Sequence, residues 1–434
     1  MSVEMIGLLG LVALFVLLGL RIPVAFAMFT VGFIGNMILN SPQAAMSQLA
    51  SDSFSLAATV ELVVVPLFIL MGNVATETGM SRKLYDAAYA WIGSIRGGLA
   101  SATVVACGGF AALSGSSVAS ALTIGRVSLS EMERFKYDNR LSTGVVAAGG
   151  TLGILIPPST GFVIYALLTQ QSIGRLFLAG VLPGLLLLSM FILTILIITW
   201  FKPEMGPKGP KTTLSDKMRS TGGAAPILLV IVLTIGGIYT GIFSPVEASA
   251  VGAGLIILIG ALSGKLTLKT FWKAAQDSVV TTATVMLILI SAYMIKTFLA
   301  LSHIPQWLGG FLETADISTL GVLSIMLLIY LVLGCFLEGF AMMVLSMPIF
   351  FPVVQQLGID PIWFGVLVVL TLEMGLISPP VGLNVFIVKS VAPNVSLGRM
   401  FRGVAPFWLA MFITLIILVA FPQISLILPD TMIN

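Results

Sequence analysis

Long apolar runs, repeated along the chain, constrain this sequence more than any other feature. Residues 6–20, 181–200, 225–242 and 407–421 contain no charged side chain. Runs of roughly 17–25 apolar residues are long enough to cross a bilayer as helices, whereas barrel strands would alternate in polarity. Only 9% of the residues are charged, against about one quarter in soluble domains. The sequence therefore predicts an all-α polytopic membrane protein.

The distribution of basic residues predicts the orientation. Residues 202–223 form the only long polar stretch and are rich in lysine and arginine. The positive-inside rule places this loop in the cytoplasm. Threading the chain outward from it leaves the N-terminus on the outer side of the membrane. Of the 21 lysines and arginines, 18 then lie on the cytoplasmic side, and the exceptions are Arg175, Lys296 and Lys389.

A pair of prolines interrupts the apolar segment at residues 150–166. Pro157 and Pro158 lack backbone N–H groups and clash with the preceding turn, so they end a helix in mid-membrane. Freed backbone groups are tolerated there only where protein or a water-filled cavity encloses them. A single pair of this kind is normally a simple kink. The interpretation therefore depends on whether the feature recurs.

The same feature recurs in the second half of the chain. Pro379 and Pro380 follow at an offset of 222 residues (379 − 157), and Gly153 matches Gly375 at that offset. SIGRLF at 172–177 also matches SLGRMF at 396–401. An odd number of predicted crossings separates the copies, so the second copy is inverted. Inverted repeats with discontinuous helices are typical of secondary transporters.

A hairpin is predicted before each broken helix. The sequence SGSS at 114–117 is followed by an apolar limb, 117–125, that is too short to cross the bilayer. We therefore expect a re-entrant hairpin with its tip at 114–117. In the second copy, 320–337 and 339–354 meet at Glu338 and form either a hairpin or two crossings. Short amphipathic segments at 80–95 and 266–275 predict bracing helices along the interface.

The ends of half-helices supply the chemistry that a transport site needs. Free carbonyls at helix C-termini suit a hard cation such as sodium, and free amides at N-termini suit a carboxylate. A lone SGSS equally suits close helix packing. Of the carboxylates in apolar runs, Glu338 and Glu373 flank the second predicted site, which is framed by 338–341 and the break at 375–384, and are the best placed to act. The side-chain candidates for substrate oxygens are Ser116, Ser159, Thr160 and Asn384.

The residues of common catalytic sites are sparse. There is one histidine and no HExxH motif, and Cys107 and Cys335 lack CxxC spacing and fit a packing role. An intramembrane enzyme is therefore disfavoured. A channel seldom needs two inverted modules of hairpin and broken helix, so a transporter remains the leading hypothesis.

Several motifs together resemble one family. LSGSSVASA at 113–121, GTLGILIPPST at 150–160, SIGRLFLAGVLPGLLL at 172–187 and LISPPVGLNVFIV at 376–388 are similar to the DctM-type large membrane subunit of tripartite ATP-independent periplasmic (TRAP) transporters. The resemblance extends over essentially the whole chain. Many relatives carry a proline near Ser128 and a glycine at Lys136, where this chain departs from them.

The resemblance implies a sodium-coupled elevator transporter in the bacterial inner membrane. A domain of hairpins and broken helices would slide against a scaffold and import organic acids such as C4-dicarboxylates or sialic acid. The implied partners are a small four-helix membrane subunit and a periplasmic substrate-binding protein, with no nucleic acid. The implied sodium-binding residues are Ser114, Ser117, Gly153, Ile156, Gly339, Gly375 and Ser378. The implied substrate-binding residues between the hairpin tips are Ser116, Pro158, Ser159, Thr160, Pro380 and Asn384.

These features divide the chain into five segments. We expect scaffold and arm helices at 1–96, a first transport repeat at 97–200 and a cytoplasmic loop at 201–223. Second-half scaffold and arm helices follow at 224–316, and a second transport repeat at 317–434. Two alternatives remain open. A stand-alone symporter of the dicarboxylate or citrate type would need no binding protein, and a proton-driven transporter would use Glu338 or Glu373 as a relay.

Overall fold

A computed structural model describes residues 2–307, 310 and 317–432, and every regular element in that part of the chain is a helix. The predicted boundary at residue 316 lies outside the described residues. The first half contains Val3–Gly19, Val24–Leu39, Pro42–Ala58, Val64–Glu77, Met80–Ile92, Gly98–Ser114, Ser117–Arg134, Asn139–Leu155, Thr160–Thr169 and Ile173–Phe201. The second half contains Leu214–Tyr239, Pro245–Leu262, Leu268–Leu301, Thr319–Gly334, Gly339–Gln356, Pro361–Leu376, Leu383–Val391, Leu397–Ala420 and Gln423–Asp430. Short 3₁₀ turns at Val60–Val63 and Pro203–Met205 complete the described elements.

The length and composition of these helices suit a membrane. Seven helices in the described part of the chain are long and apolar enough to cross one. An eighth span results if Asn139–Leu155 and Thr160–Thr169, bent by 40° at their break, are counted as a single crossing. The prediction of an all-α polytopic membrane protein is therefore confirmed.

Two helices of the second half start differently from the prediction. Leu268–Leu301 is one helix of 34 residues, so the bracing helix expected at 266–275 is continuous with the next span. No glycine or proline lies within it to end the helix early. Leu214–Tyr239 begins inside the predicted polar loop, because Thr213 and Asp216 form a capping box there.

The first hairpin also differs in the length of one limb. We call Gly98–Ser114 and Ser117–Arg134 the first hairpin, and its turn lies within the predicted tip at 114–117. The return limb has 18 residues instead of the nine apolar ones in 117–125. The helix continues through a polar segment that ends at Arg134. The prediction stopped too early because it used apolar length alone.

In each repeat, the second half of the broken helix packs against the hairpin of the other repeat. We call Asn139–Leu155 with Thr160–Thr169 the first broken helix, Thr319–Gly334 with Gly339–Gln356 the second hairpin, and Pro361–Leu376 with Leu383–Val391 the second broken helix. Thr160–Thr169 packs against the return limb of the second hairpin, Gly339–Gln356. Leu383–Val391 packs against the return limb of the first hairpin. This reciprocal packing fits two related repeats and brings both proline breaks into one assembly.

The remaining long helices pack around this assembly. Leu268–Leu301 packs against Val24–Leu39 and Val64–Glu77. Polar contacts join these helices, since the side-chain amide of Asn36 donates to the Met294 carbonyl at 3.1 Å. Met80–Ile92 packs between the first limb of the first hairpin, Gly98–Ser114, and Leu214–Tyr239. Whether these helices move as a scaffold separate from the repeats stays a prediction.

One helix crossing brings two backbones into contact. A Cβ added to Gly403, on Leu397–Ala420, would overlap the carbonyl oxygen of Arg140 at the start of Asn139–Leu155. A Cβ added to Gly144 would in turn overlap the Gly403 carbonyl. Small residues commonly allow membrane helices to approach in this way. The first broken helix is thereby fixed against the helix that follows the second one.

We expect Gly403→Ala to lower the free energy of unfolding by about 1–3 kcal/mol, because the Arg140 backbone must move to admit the methyl group. Gly398 is a matched control on the same helix, since nothing lies within 4 Å of a Cβ added there. Gly398→Ala should be neutral or stabilising by up to about 1 kcal/mol, because alanine is the better helix former. Unfolding of the purified protein in detergent measures both, and equal effects would contradict the close crossing.

Candidate functional site

The tip of the first hairpin sits on the first proline break. The Gly115 carbonyl accepts hydrogen bonds from the Thr160 hydroxyl at 2.7 Å and from the Thr160 amide at 3.4 Å. Gly115 has φ +57°, and a Cβ there would lie 2.7 Å from the Pro158 carbonyl oxygen, so both conformation and space require glycine. Gly153 also contacts the tip, since an added Cβ would lie 2.5 Å from the Ser116 carbonyl oxygen.

The paired prolines leave carbonyl oxygens free at this junction. Pro157 and Pro158 have no N–H to donate to the residues one turn earlier, Gly153 and Ile154. Within the described structure, the carbonyls of Ser114, Gly153 and Ile156 accept no hydrogen bond. Unwound carbonyls of this kind coordinate sodium in secondary transporters. The first predicted sodium group, Ser114, Ser117, Gly153 and Ile156, therefore lies at one junction and includes suitable oxygen atoms.

Two helix N-termini meet at the same junction. The Ser116 hydroxyl caps Ser117–Arg134 by accepting the Ala119 amide at 3.3 Å, and the Ser159 hydroxyl caps Thr160–Thr169 by accepting the Phe162 amide at 3.3 Å. Their positive dipole ends favour an anion nearby. The structure thus brings together four predicted substrate residues, Ser116, Pro158, Ser159 and Thr160. Three of their side chains already have structural roles, as two helix caps and as the donor to the hairpin tip.

The second break is more open than the first. Pro379, Pro380 and Val381 are exposed, whereas Pro157 and Pro158 are buried. Gly339, at the start of the second return limb, is itself buried, but it has space on one side, because an added Cβ would meet nothing within 4 Å. The second hairpin therefore leaves its break accessible, and the predicted substrate residue Pro380 lies at this opening.

The remaining second-site residues are partly satisfied by the protein. The Gly375 carbonyl accepts the Ser378 amide at 3.0 Å. The Ser378 hydroxyl donates to the Met374 carbonyl at 2.7 Å and accepts the Trp408 indole N–H at 2.8 Å. Gly375 also packs closely against Gly334 of the second hairpin. In the second predicted sodium group, Gly339, Gly375 and Ser378, two of the three residues thus already use their oxygen atoms in hydrogen bonds within the protein.

A hydrogen bond joins the first hairpin to the second broken helix. The Ser117 hydroxyl donates to Oε1 of Glu373 at 2.5 Å. Glu373 is 1% exposed, and its Oε2 has no partner among the described residues. A carboxyl group at this depth is costly and is normally retained for a function. Sequence reasoning placed Glu373 beside the second break only, because no pattern relates it to Ser117.

Among the predicted substrate residues, Asn384 is the one whose side-chain polar atoms lack hydrogen-bond partners in the described structure. It is fully buried, and neither its amide nitrogen nor its amide oxygen has a partner in the described part of the chain. It lies in the first turn of Leu383–Val391, which packs against the first hairpin and the first broken helix. Buried amide groups almost always have partners, so such a group indicates a place for a bound ligand, ion or water.

We expect Ser117→Ala to lower the free energy of unfolding by about 1–3 kcal/mol, because it leaves the buried Glu373 carboxyl without any donor. In a Glu373→Leu background no carboxyl remains, so the same substitution should cost less. The double-mutant cycle should give a coupling energy of about 0.5–3 kcal/mol. Unfolding of the four purified proteins in detergent measures it, and strictly additive effects would rule out this link between the repeats.

Comparisons with known proteins agree with this architecture. The family model described as "Tripartite ATP-independent periplasmic transporter, DctM component" matches residues 11–424. The chain is 38% identical over 395 residues to the C4-dicarboxylate TRAP transporter large permease protein DctM of Pseudomonas aeruginosa, covering 91% of this chain and 92% of that protein. It is 32% identical over 415 residues to the sialic acid TRAP transporter large permease protein SiaM of Vibrio cholerae, covering 94% of this chain and 95% of that protein.

A solved structure shares the fold at low sequence identity. The crystal structure of the Alcanivorax borkumensis YdaH transporter, described as having an unusual topology, aligns with a TM-score of 0.65 at 15% identity. The alignment covers 89% of this chain and 90% of that one. At this identity the likeness shows the fold alone. With the family match over nearly its whole length, the chain belongs to the DctM family of TRAP transporter large permease subunits, which are transport proteins and not enzymes.

Proposed function

We propose that this chain is the transport subunit of a sodium-coupled importer of organic acids. The observation that carries the proposal is the junction of the first hairpin and the first proline break. Free carbonyls and two helix N-termini meet there, next to the buried Glu373. Carbonyl oxygens suit sodium, and amides at helix N-termini suit a carboxylate. The relatives named for C4-dicarboxylates and sialic acid handle carboxylates, which supports this substrate class.

Sodium would bind at the Ser117 hydroxyl oxygen and at the carbonyls of Ser114, Gly153 and Ile156. The prolines and the hairpin turn leave these carbonyls without donors. The positive charge of sodium would compensate the partial negative charges of these helix ends. Gly339, Gly375 and Ser378 are the proposed residues of a second sodium site, which requires the second hairpin to approach its break more closely. The carboxylate substrate would bind between the two tips, near Ser116 and Asn384.

The proposed mechanism is an elevator movement of the two repeats against the other helices. Coupling requires that the fully loaded repeats move more readily than the half-loaded ones, which is a difference in binding between two states. The Ser117 hydrogen bond to Glu373 supports this coupling, because it connects the first junction to the second broken helix. The exposed second break supports entry and exit of the substrate at the second hairpin.

The proposed setting is the bacterial inner membrane, with the N-terminus in the periplasm and residues 201–223 in the cytoplasm. The word "tripartite" in the family description supports two further components. We propose that these are a small four-helix membrane subunit and a periplasmic protein that delivers the substrate. Co-purification of the small subunit would favour this assembly over a stand-alone symporter.

Uptake of labelled organic acids into liposomes, with both partners present, tests the proposal. We expect uptake of one acid to require an inward sodium gradient. Loss of a hydroxyl contact worth about 1.5–3 kcal/mol should raise the half-saturating sodium concentration about 10–100-fold in Ser117→Ala and in Ser378→Ala. Ser189→Ala is the matched control, since this exposed hydroxyl bonds only to the Leu185 carbonyl of its own helix.

Three other outcomes would change the proposal. Uptake that follows a pH gradient and ignores sodium would replace sodium by protons as the coupling ion. Uptake without the binding protein would favour the stand-alone symporter. An equal effect of Ser189→Ala would show that the two site substitutions act through general stability and not through the junction.

A further inference from the structure

A groove at one end of the molecule combines a cationic rim with an apolar wall. It has a volume of about 320 Å³ and lies between the end of Ile173–Phe201, the start of the first broken helix and Leu397–Ala420. Arg140, Lys202 and Arg402 line its polar side, while Ile197 and Phe201 line its apolar side. An adjoining polar cavity of about 530 Å³ shares Arg140 and Arg402 and adds Arg399. The two cavities adjoin at these arginines, and we call them together the basic groove.

The basic groove carries excess positive charge. Arg140 is paired with Asp138, through Nε at 3.0 Å and Nη2 at 2.8 Å. The hydrogen bond from Arg140 lowers the pKa of the Asp138 carboxyl, so this residue stays ionised and offsets one charge. Lys202, Arg399 and Arg402 form no ion pair within the described part of the chain. Asp138 also lies close enough to Arg399 to interact with its charge, so four cations and one carboxylate leave the groove a net excess of three positive charges.

Aromatic side chains indicate the depth of the groove in the membrane. Trp200 and Phe201, at the end of Ile173–Phe201, are each 79% exposed. Aromatic residues with this exposure are enriched at membrane–water interfaces. The exposed Ile197 lies one turn further toward the middle of the span. We therefore expect the cations to lie at headgroup level and the apolar wall to extend into the acyl-chain region.

We propose that the basic groove binds an anionic phospholipid of the cytoplasmic leaflet. The arginines would contact the headgroup phosphate, for which the planar guanidinium is well suited. The parts of the acyl chains next to the headgroup would cover Ile197 and Phe201. A free anion would match the cations but leave this wall uncovered, and a zwitterionic lipid would bring no net charge to neutralise them. Basic pockets between membrane helices on this side are typical binding sites for anionic headgroups.

The bound lipid would connect elements from both halves of the chain. Arg140 belongs to the first broken helix, and Arg402 to the helix that follows the second one. These two helices already cross closely at Gly403. A headgroup held by both arginines would stabilise this crossing. The proposal involves none of the predicted sodium or substrate residues, so it is testable independently of transport.

Thermal stabilisation of the delipidated full-length chain by added phosphatidylglycerol tests the proposal. We expect saturable stabilisation by this lipid, and little effect of phosphatidylcholine or inorganic phosphate at equal concentration. Each groove charge removed should weaken lipid binding about 5-fold, and the double variant Arg399→Gln/Arg402→Gln on the order of 30-fold. The control Lys208→Gln/Lys211→Gln removes two exposed charges elsewhere on the same side and should bind as the unmodified chain does.

Each alternative ligand of the basic groove predicts a different result in this experiment. Equal stabilisation by inorganic phosphate would show a site for free anions and overturn the lipid assignment. Equal stabilisation by phosphatidylcholine, or equal weakening in the lysine control, would show that the groove has no specific role. If the double variant does not fold, Arg402→Gln alone gives the same decision through its expected loss of about 5-fold. Native mass spectrometry of retained lipids provides a second readout.

Discussion

The need to satisfy backbone groups inside a membrane underlies the arrangement of this protein. Two proline pairs remove amide donors in the middle of apolar segments, and lipid offers nothing in their place. At the first break the protein itself encloses the gap. The hairpin tip lies on the break, and Thr160 donates to the Gly115 carbonyl. The carbonyls that stay free are therefore held inside protein, where they can serve an ion.

The two repeats are built alike but are not in the same state. The first hairpin closes over its break, with Gly115 and Gly153 allowing backbone contact at the tip. The second break exposes Pro379 and Pro380, and space remains around Gly339. An open second site beside a closed first one suits the proposed mechanism, in which the substrate enters before the repeats move. The hydrogen bond from Ser117 to Glu373 connects the first junction directly to the second broken helix.

The polar residues at the helix ends differ in arrangement from those near the breaks. Near the breaks, polar groups are few, buried and close to free backbone atoms. At the basic groove, cations from distant parts of the chain gather at headgroup level beside exposed aromatic side chains. By the positive-inside rule, this charge favours a cytoplasmic position for that end of the molecule, and the same charge makes the surface complementary to anionic lipid.

The sequence by itself determined the helical class, the two breaks, the internal repeat and the tip of the first hairpin. These follow from apolar length, from the missing N–H of proline and from matching local motifs, which are properties of short segments. Only the tertiary structure decided that Ser117 meets Glu373, 256 residues away. It also decided that the first break is closed while the second is open, and that Arg140 and Arg402 share a groove. These features depend on how Pro361–Leu376, Leu383–Val391 and Leu397–Ala420 pack against the first repeat. No local sequence pattern records such contacts.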